Sequence, residues 1–140
     1  MEVSLGVLAD GANLSREGKL NIMGIFEVIH ASSFPVIHPI MHLVIRFEAS
    51  AAEARQTKKI SIKFMDEDGK IVLEVGGDLT LGEAQPGERI KVDHILSFAA
   101  VKFEKPGRYE FKILVNGEPR KDVPLKVVEA NPQGSGEGRG

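Results

Sequence analysis

The sequence predicts an all-β fold, an antiparallel β-sandwich of about seven to eight strands, and three observations carry that prediction. Apolar and polar residues alternate at period two from one end of the chain to the other. Turn signals rich in Gly, Pro, Asn and Asp fall between the alternating runs at short spacing. No segment keeps a helical repeat long enough to stand as a helix by itself. Sheets of this kind bury their apolar faces against each other, which is the sandwich solution.

The elements follow in order. In VSLGVLA, Val3, Leu5 and Val7 share a face and make a first strand. ADGANLSREGKL, residues 9–20, reads as the polar end-loop joining the first two strands, with Asp10 and Asn13 bonding the loop's own backbone. KLNIMGIFEVIH is apolar on both faces, Leu20, Ile22, Phe26 and Val28 on one and Met23, Ile25 and Ile29 on the other. One strand covered on both sides, or central in its sheet, is expected there. HASSFPVIHP is a connection in which Phe34 is the phenylalanine expected to be most exposed. MHLVIRFE sets Met41, Leu43, Ile45 and Phe47 on one face against His42, Val44, Arg46 and Glu48. ASAAEAR is long enough for one helical turn.

A hairpin is written in KKISIKFMDEDGKIVLEV: Ile60, Ile62 and Phe64 alternate toward Asp66, residues 67–69 turn, and Ile71, Leu73 and Val75 alternate away. In ERIKVDHILSFAAVKF the apolar phase switches near Ala99 and Ala100, predicting a bulge or a crossing between sheets. RYEFKILV places Tyr109, Phe111, Ile113 and Val115 on one face, Asn116-Gly117 is a type I′ hairpin turn, and the returning strand carries Val123, Leu125 and Val127. Pro124 cannot donate a ladder hydrogen bond, so that strand is expected at an edge or bulged there. The domain is expected over residues 1–129, with residues 130–140 a disordered tail.

Composition narrows the partners. At 140 residues one core suffices, and 42% hydrophobic with 27% charged residues is ordinary for a globular chain. Lys and Arg number 18 against 20 Asp and Glu, for a formal charge of -2, and the basic residues are scattered. Nucleic acid, which asks for a concentrated basic face, is therefore not an expected partner. The chain has no Cys, so disulfides, thiolate metal sites and a cysteine nucleophile are excluded. No run approaches the eighteen apolar residues of a spanning helix, and MEVSLGVLADGAN lacks the basic start of a signal peptide. A soluble cytoplasmic protein with no membrane association is expected.

Two stretches carry resemblances. FEKPGRYEFKILVNGEPRKDVPLKVVE resembles the closing hairpin of immunoglobulin-like β-sandwich modules, with its PG turn, aromatic alternating strand, NG turn and last strand. LADGANLSREGKLNIMGIF followed by SSFPVIHP resembles an uncharacterised family of small bacterial proteins classed as a domain of unknown function. These resemblances imply an immunoglobulin-like architecture and a one-domain bacterial protein, with no catalytic residue and no ligand to carry over.

Candidate chemistry is sparse. His30, His38, His42 and His94 are the best metal ligands in a chain without Cys. His38 and His42 are four apart, but Pro39 intervenes, and on a strand that spacing is about 13 Å, too far for one ion. MDEDGK opens like a calcium loop, yet its glycine comes at the fourth position and Gly77 occupies the twelfth. GVLADGANLS has phosphate-loop glycines without the lysine or the helix. No serine sits in a G-x-S-x-G elbow. The absence of Trp and the single Tyr count against glycan binding. A non-enzymatic interaction or structural module without a cofactor is thus expected, binding a protein or itself through sheet faces or edge strands. The rival is a small-ligand or metal site at residues 10–18 and 31–39, built from Asp10, Asn13, His38 and His42.

Overall fold

Backbone pairing sorts the alternating segments into two sheets in a computed structural model, which describes residues 1–130. The strands are β1 (Glu2–Leu14), β2 (Leu20–Phe26), β3 (Val28–Ala31), β4 (Val36–Ala49), β5 (Thr57–Asp66), β6 (Ile71–Thr80), β7 (Ile90–Phe103), β8 (Gly107–Val115) and β9 (Glu118–Glu129). A four-stranded sheet runs β2-β1-β4-β7 and a five-stranded sheet runs β3-β9-β8-β5-β6. The all-β class is as expected, with nine strands among the described residues where seven to eight were predicted. All pairings are antiparallel except β3 with β9, which is parallel. No helix among the described residues is long and apolar enough to cross a membrane. Apart from Ala130, the predicted tail lies outside the described residues.

The core is where period-two alternation put it. Met41, Leu43, Ile45 and Phe47 of β4 face Ile62 and Phe64 of β5 and Phe111 and Ile113 of β8, all buried. Phe64 stacks on Phe111 with ring centroids 4.3 Å apart, and Phe103 meets Phe64 and Tyr109 edge-on. Tyr109 is buried up to its hydroxyl, which donates to the Lys105 carbonyl at 2.7 Å. Burial, the largest cause, leaves the phenol above its ordinary pKa.

The turns follow their residues. Asn116 and Gly117 have φ of 51° and 82°, the pair of positive angles that a type I′ turn demands. In the β5–β6 turn the Asp66 carboxylate accepts from the Asp68 and Lys70 amides at 2.9 and 2.8 Å, which explains the acidic run without an ion. Ala51–Glu53 forms a single 3-10 turn, and Glu53 reaches back to the Ser50 amide at 2.9 Å. The same carboxylate receives the ammonium of Lys58 at 2.7 Å, and Lys58 also donates to Gln56 at 3.0 Å. Lys58 is only 8% exposed, so these partners are what allow a charge at that end of the core. Led by the Lys58 bond, this arrangement holds Glu53 far below the usual carboxylate range.

Five expectations need correction or refinement. Residues 10–14 belong to β1, so the first connection is only Ser15–Lys19. The reason is pairing: β1 continues beside β2 as far as Leu14 opposite Leu20. KLNIMGIFEVIH is two strands, since the chain leaves the four-stranded sheet after Phe26 and joins the five-stranded sheet at Val28. Its two-faced pattern splices two half-patterns, and β2 and β3 are both edges rather than central strands. Phe34 is half-buried and packs against the core. Strand β9 is flanked by β8 and β3, but β3 pairs only from Lys126 onward, so Pro124 sits where that side of β9 is unpaired. The phase switch in β7 is a local irregularity at Ala100, φ 56°, and β7 stays within one sheet.

Candidate functional site

The four residues singled out as possible ligands each have their own partner. Asp10 lies over Gly24 of β2, where a Cβ would sit 2.5 Å from its Oδ2. With Gly24 at φ 69°, this is a cross-strand fit that glycine alone allows. Asn13 Oδ1 accepts from Asn21 Nδ2 at 3.0 Å, across the β1–β2 ribbon. His38 lies against Phe26 with ring centroids 5.9 Å apart, on the side of that core-packed ring. His42 bonds Ser97 Oγ through Nδ1 at 2.7 Å, on the other side of β4 from Leu43. Among the described residues no group of three or more His, Asp or Glu is placed to hold a metal ion.

The outward faces of the two sheets differ in kind. Register places Leu8, Leu43 and Leu96 in one inward row, so the neighbouring row of Val7, Val44 and Ile95 points away from the core. Ala9 and Val44 lie on that outward face with 0% exposure, covered by neighbouring side chains. Met23 and Ile25 of β2 continue the apolar area and are 61% and 57% exposed. The charges here cancel within the face: Arg46 Nε and Nη2 donate to the Asp93 carboxylate at 2.7 and 3.0 Å. That bidentate bond raises the guanidinium pKa further.

The five-stranded sheet presents the opposite surface. Lys112 lies 3.2 Å from both Glu110 and Asp122, and its pKa is raised by them, Asp122 first. Arg108, Lys126 and Lys63 share that outward face. This is the solvated side of an antiparallel sheet.

A third feature is a gap between sheet edges. Strand β6 ends the five-stranded sheet and β7 ends the four-stranded one. Between them opens a cavity of about 130 Å³, lined by Ile45, Phe47, Ile60, Ile62, Val75, Leu79 and Leu96, with Asp78 and His94 also on its wall. Gly77 adjoins it, and a Cβ there would meet nothing within 4 Å.

A family model matches residues 4–128. The chain belongs to DUF6941, a family of unknown function. No curated protein matches the sequence. Among solved structures, this DUF6941 chain is similar to the Pseudomonas fluorescens alkylpurine DNA glycosylase AlkC bound to DNA containing an abasic site analog, at 16% identity and a TM-score of 0.48, over 91% of this chain and 30% of that one. A glycosyl hydrolase family 2 member from Bacteroides cellulosilyticus matches at 13% identity and a TM-score of 0.39, over 69% of this chain and 15% of its own. A beta-glucuronidase from glycoside hydrolase family 2 matches at 10% identity and a TM-score of 0.38, over 66% of this chain and 11% of its own. The DUF6941 chain thus spans less than a third of the length of each of these proteins.

Sequence reasoning missed the gap in this DUF6941 chain, although a signal was present. Gly76-Gly77 interrupts an otherwise alternating strand, and glycine inside a strand marks a place where side-chain volume is withheld. His94 keeps the inward phase of Val92 and Leu96, but β7 is an edge strand there and the imidazole is exposed.

Proposed function

We propose that this protein is a non-enzymatic, immunoglobulin-like module that acts by binding another protein through the outward face of its four-stranded sheet. The observation that carries the reading is the contrast between the two outward faces. One carries the Lys112–Glu110 and Lys112–Asp122 pairs; the other gathers its ion pairs, Arg46–Asp93 and Arg89 with Glu2 and Glu48, at one end and presents the exposed Met23 and Ile25 at the other, beside the covered Ala9. Contiguous apolar surface of this kind marks association sites on soluble domains. Four strands spaced about 4.8 Å apart, over about six residues each, give a face on the order of 400 Å². That extent fits a small, transient interface, and the cancelled Arg46–Asp93 charges favour an apolar, uncharged surface on the partner.

The immunoglobulin-like part of the reading is supported by connectivity. Strands β4 and β7 pair in one sheet, β6, β5, β8 and β9 are consecutive neighbours in the other, and a short β3 adds to β9 in parallel. The Tyr109 hydroxyl bonding the Lys105 carbonyl at the start of β8 also fits the tyrosine corner of such domains.

A photo-crosslinking amino acid at position 23, compared with one at position 112, tests the proposal in cells that produce the protein. Adducts with a discrete protein at 23, and none at 112, are expected. No adduct at 23, or the same adducts at both, would refute it.

A further inference from the structure

Of the four edge strands among the described residues, three are obstructed. Strand β3 has four residues, β2 is distorted by Gly24 at φ 69°, and β7, though continuous, is distorted at Ala100 with φ 56° and carries the edge lysines Lys91 and Lys102. Strand β6 is different. It pairs with β5 in unbroken register from Leu73 to Thr80, and residues 71–80 contain no Lys, Arg or Pro, the residues that usually guard an open edge. Alternate residues of an edge strand direct their N–H and C=O groups away from the sheet, ready to pair with another strand.

The side chains of β6 specify what such a strand would carry. Register places Glu74 and Asp78 on the outward face, opposite Lys63 and Lys59 of β5, and neither closes an ion pair with them among the described residues. On the inward face Val75, Gly77 and Leu79 border the cavity. Its volume of about 130 Å³ approaches that of engineered cavities that take up benzene, which are roughly 150 Å³. One branched aliphatic or aromatic side chain fills it.

We infer that β6 is a docking edge for an extended basic peptide, which adds a strand to the five-stranded sheet and seats one apolar side chain in the cavity beside Gly77. Lysines or arginines at alternate positions of that peptide lie beside Glu74 and Asp78, and the residue between them faces the cavity. A second copy of this chain is the poorer occupant. Antiparallel pairing of two β6 strands about Gly76 sets Glu74 against Asp78 of the other copy twice, and like charges directly opposite are destabilising. This edge is separate from the apolar face of the other sheet, so either surface can fail its test without the other.

The test uses the full chain and a fluorescein-labelled nine-residue peptide in which lysines alternate with threonines, one threonine being replaced by leucine. Fluorescence anisotropy should show saturable binding that falls at least tenfold when alanine replaces the leucine. Binding should also fall at least tenfold with Gly77→Leu, which fills the cavity from inside, and with the surface double variant Glu74→Lys/Asp78→Lys. A proline at the peptide's centre should abolish it. Absence of binding, indifference to both variants, or equal binding of a peptide with glutamate in place of lysine would overturn the inference. So would a dimer in light scattering that the same variants dissociate, because it would assign the edge to a second copy.

Discussion

Adjacent glycines of β6 provide an internal control on the cavity. At Gly77 an added methyl enters open space, with no atom within 4 Å, on the inward side of the strand. At Gly76 the methyl points outward and comes 3.2 Å from the Ile60 carbonyl oxygen, a backbone atom that cannot rotate away. Neither glycine has a positive φ, so alanine is conformationally acceptable at both. Gly→Ala removes the same freedom from the unfolded chain in each case, worth about 0.5–1 kcal/mol. Gly77→Ala keeps that gain at no steric cost, because the methyl meets no atom within 4 Å. Its expected stabilisation is about 0.5–1 kcal/mol, or at most roughly 3 °C in Tm for a chain of this size. For Gly76→Ala the forced shift against Ile60 offsets the entropic gain, and the net change is about zero or destabilising. Because the unfolded-state term cancels in the comparison, the difference between variants reports the folded cavity. Urea denaturation of both, at matched m-values, is the assay. Equal stability, or Gly76→Ala the more stable, would mean that the space beside Gly77 is not open in solution.

The remaining predictions concern the two polar anchors of the core. Glu53→Gln leaves the largely buried Lys58 ammonium without its counter-charge and should cost about 1.5–3 kcal/mol at pH 7. Since Glu53 is held below the ordinary carboxylate range in the folded chain, its contribution is complete above the unfolded value of about 4.3 and is lost as pH falls. The deficit of the variant should therefore shrink below about pH 4 in urea titrations; a deficit constant with pH would contradict the ion pair. Tyr109→Phe removes the 2.7 Å bond to the Lys105 carbonyl and should lower stability by about 1 kcal/mol, since a solvent-exposed loop carbonyl can be rehydrated. A Tm unchanged within error would show that the hydroxyl is already bonded to water.

Strands and turns were legible because their signals are local. Alternation in RYEFKILV alone specifies which of its residues are buried, and Asn116-Gly117 alone specifies the turn angles. What was not legible depends on pairing partners. Residues 10–14 look like a loop by composition, yet they form strand because β2 lies alongside them. The double-faced look of residues 19–30 arises because the chain changes sheets at Glu27, whose carbonyl accepts from the Lys126 amide at 2.9 Å. Nothing in the local sequence announces that contact. The cavity likewise needs two edges from different sheets to come together, and only Gly76-Gly77 hinted at it.

The distribution of satisfied and unsatisfied groups is the reason for placing the proposed binding on a face and an edge rather than on the loops. Several loop side chains with chemistry to offer are already engaged in intramolecular bonds. Ser15 Oγ accepts from the Lys19 amide at 3.0 Å, Asp66 from two amides of its turn, and Asn116 Oδ1 from the Lys59 amide at 2.8 Å. A polar small molecule at these ends would have to displace an intramolecular bond for each one it made, with little net gain. By contrast, Met23 and Ile25 stand exposed on the outward face of the four-stranded sheet, and the outer edge of β6 has no strand paired to it among the described residues. Apolar area and unpaired strand edge are resources that another polypeptide uses, one through burial and the other through ladder hydrogen bonds. The two proposed surfaces also lie on different sheets, so occupation of one would leave the other open.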